Sequence, residues 1–513
     1  MKKMFLINLV MAALIIFIFS VDSSQPADAA ASGIYYVSTG GSDRNPGTEK
    51  EPWKTIRKAA ESAGPGSTVY IKAGTYYERI DIQVSGTSAE YPVTFRNYES
   101  DQVIIDGSKT PASEQEDLIR IEDQSFIKLI GLELVNNISK DKDSLLTGIG
   151  IWGKGEGIEI RDCKIHKIWY TGTSDEAGAQ AIAVYGTNGD EPVSGLLING
   201  NEIWDIKCGS SEAVALNGNV DGFTFTNNYV HDNNNIGLAL IGDETLDDEP
   251  VCPSEADNRA RNGYVGYNRM ERNSCEANPC YPEGDYSADG IYADGAKDVL
   301  ITYNTCNGND IGIEVENETR DKVCSGITVR NNLIYGNNAS GISVGGYDWN
   351  RGWAKDCRFL NNTLYQNDAK KLGRGEISIA KCHDILFSSN IVYTGAKNLA
   401  VTMEDFGTKN IYSASFDHNI YYGPGGAKGL RFKGTDTGLV GLNMWRQKTG
   451  QDLASWISDP RFTDAGKLDF HLLKYSPAID RGNPAYVPGS GETDLGGQPR
   501  IKGNAVDCGA YEF

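Results

Sequence analysis

The middle of the chain alternates apolar and polar positions in short bursts, and the bursts repeat. Gly148-Ile149-Gly150-Ile151-Trp152-Gly153 aligns with Ala181-Ile182-Ala183-Val184-Tyr185-Gly186 and with Ala213-Val214-Ala215-Leu216-Asn217-Gly218. The same frame holds Gly237-Leu238-Ala239-Leu240-Ile241-Gly242, Gly290-Ile291-Tyr292-Ala293-Asp294-Gly295 and Gly312-Ile313-Glu314-Val315-Glu316. Gly341-Ile342-Ser343-Val344-Gly345 and Glu376-Ile377-Ser378-Ile379-Ala380 continue it. Strand side chains alternate faces, so the constant apolar positions point inward and the variable positions outward. A second marker is a polar pair followed by apolar residues, as in Asn227-Asn228, Asn331-Asn332, Asn361-Asn362 and Ser389-Asn390. It recurs every ~28 to 40 residues, which leaves each unit room for two or three strands and no long helix. The pattern predicts an all-β solenoid, a parallel β-helix whose coils bury a narrow stack of side chains. Asparagines stacked at a bend can bond one another in a ladder, so the Asn pairs need no functional explanation.

Laying the eight strands side by side gives two outward columns. One reads Gly150, Ala183, Ala215, Ala239, Tyr292, Glu314, Ser343, Ser378. The other reads Trp152, Tyr185, Asn217, Ile241, Asp294, Glu316, Gly345, Ala380. Small and neutral residues dominate, and two adjacent coils break the rule with carboxylates. Stacked carboxylates repel one another and gain nothing structurally. Asp294, Glu314 and Glu316 are therefore the candidate catalytic residues. Trp152, Tyr185, Asn217 and Tyr292 are candidates for binding a substrate in a groove along these columns, because aromatic faces suit stacking on sugar rings. Outward aromatics can equally pack beneath loops. Asp289 is a further substrate-binding candidate, although it and Asp310 also read as turn-forming carboxylates.

The remainder supplies caps, a loop and a leader. Lys2 and Lys3 precede an apolar run from Met4 to Phe19 and a small-residue site at Ala27-Asp28-Ala29, which reads as a secretory signal over 1–30. Residues 31–513 then form a single β-helix domain. Its first part, 31–100, holds the N-terminal cap and first coils, with helical spacing from Trp53 to Ala60 before a Gly-Pro-Gly stop. Residues 243–287 break the rhythm and form an inserted groove loop, apart from a return to the coil near Tyr264. Residues 456–513 are turn-rich and read as the closing segment. No later stretch is long and apolar enough to cross a membrane.

Composition narrows the function. The chain has 513 residues, 69 acidic and 48 basic, for a net charge of −21. That argues against a nucleic-acid partner. Ten cysteines in a secreted chain permit disulfides, and Cys252, Cys275 and Cys280 are expected to staple the inserted loop. The five histidines are scattered and no Cys-x-x-Cys occurs, so no zinc site is expected.

The opening Tyr35-Tyr36-Val37-Ser38, Gly41-Ser42-Asp43 and Pro52-Trp53-Lys54-Thr55-Ile56 resembles the start of right-handed parallel β-helix proteins among secreted carbohydrate-active enzymes, pectate-lyase-like and mannuronan-type enzymes included. The ending Ser476-Pro477-Ala478-Ile479-Asp480 with Asp507-Cys508-Gly509-Ala510-Tyr511-Glu512 resembles theirs too. Locally, Gly290 to Asp294 and Glu314-Val315-Glu316 resemble the β-helical xylosidase family of glycoside hydrolases. That resemblance implies Asp294 as nucleophile and Glu314 as acid/base.

The resulting expectation is a secreted, monomeric glycoside hydrolase that needs no cofactor and takes a poly- or oligosaccharide. Either Asp294 with Glu316 or Asp294 with Glu314 would supply the carboxylate pair. Two other readings stand. The same carboxylates could hold Ca²⁺ in a polysaccharide lyase, with Lys297, Arg320, Arg351 or Lys381 as base. A solenoid that only binds carbohydrate needs the groove but not the carboxylates.

Overall fold

A computed structural model describes residues 33–513 apart from 114, 247, 248, 347, 349, 404–411 and 436. The signal expected over 1–30 lies outside the described residues, as do Asp247 and Asp248 of the inserted loop. Three long sheets, of 16, 13 and 13 strands, run the length of the molecule. Within them almost all neighbouring strands are parallel, and each pairs with the equivalent strand one coil away. This is the β-helix that the apolar periodicity predicts. Among the described residues no helix is long and apolar enough to cross a membrane.

Register follows the inferred columns residue for residue. Ile149, Ile182, Val214, Leu238, Ile291, Ile313, Ile342 and Ile377 pair in succession and are buried. A one-residue slip would turn every one of them outward, so the buried stack fixes the register. On the outer face, Tyr292 pairs with Glu314 and Asp294 with Glu316.

Bends between strands are set by asparagine. Asn201, Asn228, Asn268, Asn304, Asn332, Asn362, Asn390 and Asn419 form one buried ladder. Each amide donates to the next side-chain oxygen and to a backbone carbonyl, as Asn332 does to Asn362 and Ile301. The residue before each rung is left-handed, with φ of 56° at Asn227, 60° at Tyr267 and 59° at Tyr303. A tyrosine in that region is strained, and the ladder is what holds it there. A second ladder runs Asn233, Asn273, Asn309, Asn337, Asn367 and ends on the carboxyl of Glu376.

The apolar ends are closed separately. Helix Ile56–Ser62 buries Ile56, Ala59 and Ala60 over the first coil. Thr55 caps it, and Glu78 accepts the Ile56 and Arg57 amides at its positive end. At the other end helix Leu442–Thr449 lays Trp445 on Phe432. The segment expected at 456–513 to close the helix does something different. Beyond Ile457 it folds back along the side, bonding Arg330 through Glu492, Asn361 through the Asp507 carbonyl and Thr363 through the Ala510 amide.

The inserted loop is not stapled. All ten cysteines are free thiols. Cys252, Cys275 and Cys280 sit at three separate places, against Asn188, Asp285 and Ser174 respectively. The loop instead makes two excursions either side of the strand Ala260–Gly266. The first packs Val251 on Tyr185. The second is tied down by Asp310, which accepts the Cys275 and Ala288 amides and the Ser274 hydroxyl.

Candidate active site

Strands Asp289–Asp294 and Ile311–Glu316 put five acidic or phenolic groups on one outer patch. All but Asp294 line a cavity of ≈ 630 Å³, together with Glu318, Ser343 and Arg374, among others. Tyr281, Asp285 and Ser287 of the loop's second excursion form a wall. That volume is within the range of small-ligand sites.

The carboxylates pair off rather than converge on one point. Asp289 and Glu314 are electrostatically coupled across the coil boundary. Ser343 and the charge of Arg374 also favour the ionised form of Glu314. The Tyr292 hydroxyl is 2.6 Å from Glu316 Oε1 and 3.1 Å from Glu318 Oε1. Glu316 is fully buried, and its Oε2 has no partner. Asp294 accepts the Glu318 amide at 2.7 Å. Among the described residues, no three His, Cys, Asp or Glu side chains converge as metal ligands.

Burial pushes all four carboxyls above the ordinary range, because the charged form loses its water. Asp289 rises further from the charges of Glu314 and Glu316. Glu316 rises further from Glu314 and Glu318, and Asp294 from Glu318. Glu314 is raised mainly by burial too, but Ser343, Arg374 and Asp289 pull it back. Burial thus raises every carboxyl of the site, and around Glu314 the neighbours Ser343, Arg374 and Asp289 oppose that rise. Divergent carboxyls of this kind mark acid and base roles.

The remaining sequence candidates fall elsewhere. Asp294 is half-buried and stands beside the cavity, not in its lining. Trp152 stacks on Tyr185 at 4.8 Å, so each ring's face is taken by the other. Tyr185 is 4 % exposed beneath Val251. Asn217 is buried and bonds Glu244 of the loop. These three are in the inferred columns but outside the cavity, because the first excursion covers their end of the groove. Among the cations considered, Lys297 and Arg320 are exposed, Arg351 pairs with Glu318 and Asp348, and Lys381 bonds the Arg351 carbonyl. None lines the cavity. Sequence reasoning missed Arg374, the one cation among the described lining residues, and Glu318. Both lie just outside a strand, where the two-residue period ends.

Comparison with known proteins defines the class. Residues 35–228 match a family described as Pel9A-like, right-handed β-helix region, and residues 254–369 match one described as right-handed β-helix region. A lacto-N-biosidase of GH136 from Eubacterium ramulus superposes with a TM-score of 0.53 at 16 % identity, covering 75 % of this chain and 67 % of that one. At that identity the likeness is one of fold. Pectate lyase PEL9 of Emericella nidulans is 37 % identical over 113 residues, 20 % of this chain and 27 % of its own. The molecule is thus a right-handed parallel β-helix, the fold of these carbohydrate-active proteins. More particularly, it belongs to the family of the uncharacterized protein YwoF of Bacillus subtilis, with 36 % identity over 90 % of this chain and 96 % of that protein.

Proposed function

We propose that the protein is a secreted glycoside hydrolase that cleaves a poly- or oligosaccharide in this cavity. Glu314 acts as the ionised carboxylate, base or nucleophile, and Glu316 as the general acid. The observation that carries the reading is the division of the cavity's carboxyls. Around Glu314, Ser343, Arg374 and Asp289 favour the charge against burial and Glu318, whereas around Glu316 burial, Glu314, Glu318 and Asp294 oppose it against the Tyr292 hydroxyl. Both glycosidase mechanisms need one carboxylate and one carboxylic acid flanking the bond. Asp289 is electrostatically coupled to Glu314, and Asp294 fixes Glu318 through its backbone amide. Asp294 is in this reading a positioning residue.

A second reading is favoured by Arg374. A cation in an acidic cavity suits a uronate, and the similarity to a pectate lyase over 113 residues points the same way. That would be β-elimination. The Pel9A-like match ends at residue 228, however, before any of the cavity's carboxylates. A panel of neutral and uronate polysaccharides, followed by reducing ends and by ultraviolet absorbance, tests both. Hydrolysis releases reducing ends without the absorbance of an unsaturated uronate. Elimination gives both signals, and a binding-only solenoid gives neither.

A further inference from the structure

Tyr292 Oη lies between two carboxyls, 2.6 Å from Glu316 Oε1 and 3.1 Å from Glu318 Oε1. Both distances are hydrogen-bond contacts. A phenol has one proton, so it donates to one carboxyl and receives from the other. The two carboxyls are not alike. Glu316 is fully buried and its second oxygen has no partner. Glu318 is half-buried, 3.5 Å from the Arg351 guanidinium, and its backbone is pinned by Asp294. A buried carboxylate with an unpartnered oxygen is costly, whereas a half-exposed one beside arginine is not. The proton therefore resides on Glu316, and the chain of contacts runs from Glu316 through Tyr292 to Glu318 at the cavity mouth.

We infer that Tyr292 and Glu318 are a proton relay that recharges Glu316 from solvent after each turnover, and that hydrolysis consequently proceeds with inversion. The inference rests on the glycosidase reading above. In the step, Glu316 gives its proton to the departing glycosidic oxygen as the C–O bond breaks, and becomes a carboxylate. Glu314 takes a proton from the attacking water as the new C–O bond forms. Tyr292 then passes its phenolic proton to Glu316 Oε1 and takes one from Glu318, which draws it from bulk water. Tyr292 begins and ends as a phenol, and the proton on Glu314 returns to solvent. An acid recharged this way serves single displacement. In double displacement the acid recovers its proton from the water it activates, and no relay is needed.

The test uses the full chain with xylan, arabinan, galactan and pectin fragments as probes. The anomer first released is read by proton NMR, and rates are measured for the parent, Tyr292→Phe and Glu318→Gln. The expected first product has inverted configuration. Both variants should lose kcat by about 10- to 100-fold, within the span of general acid catalysis, with KM little changed. Added acetate or imidazole should restore kcat in Glu318→Gln and leave the parent unaffected. A retained anomer, or rates in both variants that match the parent and ignore buffer, overturns the relay. Infrared spectra need no substrate. The spectrum of the parent minus that of Glu316→Gln at neutral pH should contain a protonated-carboxyl band, and that band should be shifted when Tyr292→Phe replaces the parent. If no probe is cleaved, the glycosidase reading fails, and the infrared bands still decide where the proton resides: no Glu316 carboxyl band overturns the relay.

Discussion

Asp289 and Glu314 sit on successive coils and line the same cavity, where the charge of Glu314 raises the Asp289 carboxyl while Asp289 favours the charge on Glu314. Ser343 and Arg374 also favour the charge on Glu314. A base is thereby kept available in a cavity that otherwise suppresses ionisation.

Arg374→Met should move the acid limb of the pH–rate profile to higher pH. Arg374 lowers the Glu314 carboxyl from the high position burial would give it. Without the guanidinium, more alkaline conditions are needed to ionise Glu314. The limb is measured as kcat/KM against pH on the same substrate. A limb that stays in place would separate Arg374 from Glu314.

Glu376 gives a stability prediction with a defined sign. Its carboxyl terminates the shorter asparagine ladder and burial pushes it up to about 8. A folded value above the unfolded one means that the unfolded chain ionises first. The stability contribution is full below the ordinary value of 4.5 and is lost as pH rises towards about 8. Glu376→Gln removes the titration. Its melting temperature should therefore fall less steeply than the parent's across that window, with the two nearest at the acid end.

Asn332→Ala should destabilise the fold strongly. The side chain accepts from the Asn304 backbone and side-chain amides and donates to Ile301 and Asn362. Removing it orphans several buried groups at roughly 1–3 kcal/mol each. A total loss of about 3 kcal/mol or more is expected from urea unfolding, against less for the terminal rung Asn201. Equal effects at the two positions would count against a continuous ladder.

The cysteines give a simple chemical check. Thiol titration of unfolded, unreduced protein should find all ten free. Dithiothreitol should leave the melting temperature unchanged. Any shortfall in thiols that reductant restores would show a bridge.

Much of this arrangement was legible in the residue pattern. The apolar columns fix the face of every outward residue, so Tyr292 opposite Glu314 and Asp294 opposite Glu316 follow from alternation alone. The longer asparagine ladder was equally readable, because its second members recur at each bend. Alternation does not say what lies over a face. Tyr185 and Asn217 point outward as read, yet Val251 and Glu244 of the loop cover them. Nor does it reach residues beyond strand ends. Glu318 and Arg374 lie past the periodic segments, and only the folded chain brings them to Tyr292 and Glu314. Cysteine count misled for a related reason: a secreted compartment permits bridges, but Cys252, Cys275 and Cys280 each pack in a different part of the loop.

The central claim is that Glu314 and Glu316 carry out hydrolysis. The direct measurement is product release from the polysaccharide panel by the parent, Glu314→Gln and Glu316→Gln, following reducing ends and unsaturated-uronate absorbance together, with and without EDTA. The account predicts reducing ends without absorbance and no effect of EDTA. It also predicts a loss of ~10²- to 10⁴-fold in either variant, the span attributed to a positioned acid or base. Absorbance that rises with the reducing ends and disappears with EDTA, or turnover that survives in both variants, would contradict it.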